Sequence, residues 1–104
     1  MSNNKLLRLA ARAYVNPELY ESEAYMDGFL SNWNPLDDDG DAIRLAVKLG
    51  VCISIYGMFV TADMRNREVD LGYVEENTAR NDGCIMKATR LAIVRAAAII
   101  GEGM

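Results

Sequence analysis

The sequence predicts an α+β fold: a three-layer alpha-beta-alpha-like sandwich, with helices covering an antiparallel sheet of about three or four strands. Three observations predict it. Apolar residues recur at helical spacing near the start, over Asp39–Leu49 and at the end of the chain. Between the last two lies "VCISIYGMFVTADM", rich in β-branched and aromatic residues. No repeat, linker or low-complexity run divides the 104 residues, so they form one domain large enough to fold without staples.

Taken in order, Asn3 or Asn4 can cap a first helix to about Tyr14, with Leu6, Leu7, Ala10 and Ala13 on one face. "NPE" at Asn16–Glu18 ends it, because a residue before proline avoids the helical region. "LYESEAYMDGFLSNW" alternates only loosely and reads as irregular strand or loop. A second helix over Asp39–Leu49 stops at Gly50, a left-handed end signal. Val51–Met64 reads as a hairpin broken at Gly57. A turn at Arg65–Arg67 leads into "EVDLGYVEE", where Val69, Leu71 and Tyr73 point one way and Glu68 and Asp70 the other, the pattern of an edge strand with one wet face. "NTARNDG" is a polar loop, and "CIMKATRLAIVRAAAIIG" is a long helix ending at Gly101.

Composition excludes several classes of function. Half the chain is hydrophobic and a quarter charged, an ordinary globular balance. Net charge is −4, the wrong sign for nonspecific nucleic-acid binding and too mild for a nucleic-acid mimic. Histidine is absent, which removes the commonest general base and the commonest transition-metal ligand. Cys52 reads as core and Cys84 as a small packed thiol; without a secretory leader, free thiols in a reducing cytoplasm are expected. The opening "MSNNKLLRLAARAYVN" is interrupted by Arg8 and Arg12, so it predicts neither a signal peptide nor a membrane span.

The stretch "WNPLDDDGDAIRLAVKLG" raises the question of a metal loop. Placing Gly40 at the sixth position of a calcium loop puts Pro35 first and Ala46 twelfth, and neither can serve as a ligand. The aspartates fit instead the front of a helix, whose unpaired N–H groups and partial positive charge they satisfy. Trp33 and Pro35 would pin the incoming chain against the core.

At "NWNPLDDDGDAIRLAVKLG" and "KATRLAIVRAAAIIG" the chain resembles the NinX-like small proteins of the phage alpha-beta-alpha sandwich group. The resemblance runs over roughly Asn32–Gly101 and leaves Asn16–Leu30 unmatched. It implies a layered fold and a phage-encoded protein in the infected bacterial cytoplasm, and it implies no activity.

Two kinds of site are expected. A glycine-containing turn before the last helix, with Arg80, Asn81, Gly83, Lys87 and Arg90, suits a small anion, because helix starts favour negative charge. Asp82 opposes this, or caps the helix; the alternative is that these cations form a solvated face and Asp82–Gly83 only a turn. The last helix is apolar nearly all round, so either the other helices clasp it or a second protomer covers Leu91, Val94, Arg95 and Ala98. Tyr20 and Tyr25 could rim an interface. The expected function is therefore non-enzymatic, with no cofactor, metal, membrane or nonspecific nucleic-acid partner. It is either a homo-oligomeric sponge for a small nucleotide-type signal of host defence, or an inhibitor covering a host defence protein with Asp37–Asp41 and "YESEAYMDGF". A purely structural, self-assembling role is the third reading.

Overall fold

The computed structural model describes residues 3–64 and 71–104. Helix α1 spans Asn3–Tyr14, α2 Pro17–Tyr20, α3 Glu23–Ser31 and α4 Asp39–Leu49. Strands β1 (Cys52–Tyr56), β2 (Phe59–Asp63) and β3 (Tyr73–Asn77) follow, then a 3₁₀ turn, Thr78–Asn81, and α5, Ile85–Glu102. The expected turn Arg65–Arg67 and the Glu68–Asp70 part of the third strand lie outside the described residues.

Helix α4 begins and ends as its sequence dictates. The Asp38 side chain accepts from the Asp41 amide at 3.1 Å, and Gly50 closes the helix at φ 67°. Trp33 and Pro35 are buried ahead of it.

The segment read as strand or loop is helical instead. Asn16 caps α2 by accepting from the Glu18 amide, with Pro17 in the first turn, where its missing N–H costs nothing. Ser22 caps α3 by accepting from the Tyr25 amide. Met26, Phe29 and Leu30 then turn inward at helical spacing, and Phe29 and Tyr14 close on Trp33 at centroid distances of 4.9 and 5.7 Å.

The sheet is antiparallel in the order β1-β2-β3, which makes β3 an edge strand as expected, but its faces are reversed from the expected pattern: Tyr73 lies on the exposed face and Val74 turns inward. Gly57 at φ 56° followed by Met58 at negative φ makes the hairpin loop a type II′ turn. Val60, Ala62 and Val74 are buried against α5, and helices lie on that face alone among the described elements. The result is an α+β sandwich whose helices stack two deep, α5 on the sheet and α1 and α4 on α5.

Helix α5 is thus the central, clasped helix. The missing side chain of Gly101 allows α1 to approach closely: a Cβ there would lie 1.9 Å from the Leu9 carbonyl oxygen. No helix among the described residues is long and apolar enough to cross a membrane.

Candidate functional site

The start of α5 gathers most of the residues expected to hold an anion. Asp82, at φ 58°, and Gly83, at φ 71°, turn the chain into the helix, and the Cys84 sulfur caps it by accepting from the Lys87 amide at 3.4 Å. Cys84 is exposed rather than packed, and Cys52 is exposed on the sheet rather than in the core.

Two of the three cations at this end, Lys87 and Arg90, are engaged with carboxylates. Lys87 Nζ donates to Asp82 Oδ2 at 2.5 Å. The hydrogen bond and the opposite charge hold Asp82 below the usual carboxylate range and raise Lys87 above the usual lysine value. Arg90 Nε donates to the Leu36 carbonyl at 2.8 Å and its Nη1 to Asp39 Oδ1 at 2.5 Å. Asn81 is buried, and its amide donates to the Asn77 carbonyl and to Glu76. Arg80 is exposed on the 3₁₀ turn.

A cleft of about 450 Å³ opens here, bordered by Asn3, Asn34, Asp37, Asn81 and Lys87. Asn81 and Lys87 line it; Arg80, Gly83 and Arg90 do not. The expected five are therefore neighbours along the chain that do not converge on one cavity.

The acidic corner is structural in its details. Asp41 accepts from the Asn34 amide at 2.9 Å and pairs with Arg44 at 2.7 Å, and Asp37 accepts from the Asn34 side chain at 2.8 Å. Among the described residues no group of three or more Cys, Asp or Glu side chains is arranged to hold a metal ion.

The residues expected to meet a second protomer divide. Val94 and Ala98 are buried within the chain. Arg95 pairs with the buried Glu76 and donates to the Glu75 carbonyl at 3.2 Å. Leu91, Arg95 and Ala98 border a groove of about 390 Å³ between α1 and α5. Tyr20 lies under the Arg12 guanidinium at 5.8 Å, and the exposed Tyr25 stacks on Phe29.

Sequence reasoning missed the sheet's outer face. The register places Tyr56, Phe59 and Asn77 in one row, Ser54, Thr61 and Glu75 in the next, and Cys52, Asp63 and Tyr73 in the third. Tyr56, Phe59 and Tyr73 are 64%, 38% and 56% exposed, on a face that none of the described helices covers. A depression of about 330 Å³ runs between the two tyrosines, over Ser54 and Thr61 and past Asp63 and Glu75. The alternation of "SIYGMFVTAD" carried the signal, once the hairpin was aligned about Gly57. Compared with known proteins, the chain matches no family model, no curated protein and no solved structure.

Proposed function

We propose that this protein acts by binding rather than turnover, and that the open face of its sheet covers a cationic surface of a protein partner. One observation carries the reading: three exposed aromatic rings share that face with two carboxylates, and none of the nine strand residues in its three rows is Lys or Arg. Tyrosine faces attract guanidinium and ammonium groups, and Asp63 and Glu75 add charge of the right sign. Aromatic residues are also enriched where proteins meet. The resemblance to phage proteins makes a host defence factor the natural partner, and the host cytoplasm the natural place.

The sponge reading keeps one supporting observation, the cleft beside Lys87 with its asparagine walls. Asp37 and Asp82 stand against it, since both place negative charge near any anionic guest.

A single titration separates the two. An arginine-rich peptide is expected to shift the amide resonances of Tyr56, Thr61, Tyr73 and Glu75, with the effect lost in Glu75→Lys and weakened by salt. A nucleotide at a hundredfold excess over its dissociation constant would instead stabilise the fold by about 2.7 kcal/mol, and Lys87→Ala would abolish that gain. Peptide shifts that ignore the outer face overturn the first reading.

A further inference from the structure

Strand β1 is an edge of unusual character. It is the one strand of the described sheet with no substantial helix packing, so Ile55, on the helix-side face, is 58% exposed. Its five residues, Cys52–Tyr56, carry no charge and no proline, the devices with which edges usually deter pairing. The opposite edge does carry them. On β3, Glu75 and Glu76 supply charge, and Arg95 donates to the outward carbonyl of Glu75.

The hairpin fixes which main-chain groups of β1 face outward. In a type II′ turn the flanking pair, here Tyr56 and Phe59, exchanges hydrogen bonds, and bonded pairs then alternate along the strands. Ser54 and Cys52 therefore turn their main chain toward β2, while Ile53 and Ile55 turn theirs to the open edge. Bonds on the other side of β2, from Met64 N to Gly72 O and from Thr78 N to Met58 O, both 2.8 Å, agree with that alternation.

We propose that β1 pairs with β1 of a second copy of this chain, antiparallel about a two-fold axis, joining two three-stranded sheets into one. This inference is independent of the outer-face reading. The outward groups set the register: Ile53 lies opposite Ile55 of the second copy, and Ser54 meets its own counterpart on the axis. That register gathers the four isoleucines on the helix side, where Ile55 otherwise faces water. The self-complementary register about Ser54 points to a second copy as the occupant, and charge does not oppose it. The chain carries −4 overall, yet this pairing sets no like charges directly opposite, whereas self-pairing of β3 would bring Glu75 and Glu76 toward their counterparts.

The test uses Ser54→Cys in a Cys52→Ser, Cys84→Ser background. The thiols that Ser54→Cys places on the axis should join under mild oxidation about tenfold or more faster than those of Ser31→Cys on α3, because pairing holds them at disulfide distance. Light scattering of the unaltered protein should give a dimer mass that falls on dilution, and Ile55→Lys should give a monomer with an unchanged circular dichroism spectrum. Equal cross-linking rates at positions 54 and 31, or a dimer that survives Ile55→Lys, would overturn the proposal. Should Ile55→Lys fail to fold, the cross-linking rates decide alone.

Discussion

Arg90 of α5 joins Asp39, in the first turn of α4, at 2.5 Å, while its Nε donates to the Leu36 carbonyl at 2.8 Å. One guanidinium thus ties the central helix to the loop and helix beside it. The Arg90 side chain is only 17% exposed, which limits solvent competition, although Asp39 is half open to water. Replacing Arg90 by Met should lower unfolding free energy by about 1.5–3 kcal/mol, the range for hydrogen bonds to charged groups. Arg90→Lys should recover little, since an ammonium does not reproduce the planar fork. Urea denaturation of the three proteins checks both statements.

The front of α4 offers a second measurement. Asp38→Ala removes the acceptor for the Asp41 amide and should cost about 1 kcal/mol, while Asp38→Ser should restore most of it. If both variants match the original in thermal unfolding, the capping account fails.

Gly101 reports on the α1–α5 contact. A methyl group there collides with the Leu9 main chain at 1.9 Å, and backbone cannot step aside as a side-chain tip can. Gly101→Ala should destabilise by about 1–3 kcal/mol, against the gain that alanine normally brings to a helix interior. Gly103→Ala, whose Cβ would meet atoms only at ordinary van der Waals distance, is the control and should be near neutral.

The pair at the start of α5 predicts a pH dependence with two ends. Asp82 titrates below an ordinary carboxylate, so its contribution is complete above the unfolded pKa and disappears as pH falls through the lower folded value. Lys87 is raised, so its contribution is complete below the unfolded lysine value and disappears as pH climbs through the higher folded one. The stability difference between the original chain and Asp82→Asn should therefore form a plateau across neutral pH and shrink at both extremes. Both groups are well exposed, so the plateau should be low and diminish with salt. A plateau that resists high salt would contradict this picture.

Much of the fold was legible in the sequence. Asp39–Leu49 carries its own cap and its own stop, and "VCISIYGMFVTADM" carries β-propensity and a turn glycine, so local chemistry alone specifies both. The helices over residues 17–31 were harder to read. Their caps, Asn16 and Ser22, sit among tyrosines and glutamates whose spacing obscures the inward set of Met26, Phe29 and Leu30. The clasping of α5 was legible as one of two options, since apolarity on every side shows that a helix is covered and not by what. The anion site was the least legible. Sequence neighbours on a helix start look convergent, but Lys87 turns to Asp82, the nearby carboxylate that already opposed an anion, and Arg90 turns to Asp39, a partner whose distance along the chain conceals it.

The close approach of Leu9 to Gly101 also governs how the molecule can be made. Roughly ninety residues separate the two, and closing so distant a contact is slow compared with forming any local turn. During synthesis α1 emerges well before the helix that shelters it, with Ala10 and Ala11 bare until α5 leaves the ribosome. The nascent chain is most exposed to misassociation in that interval, so a translational pause ahead of α5 should lower the yield of native protein more than one placed behind it.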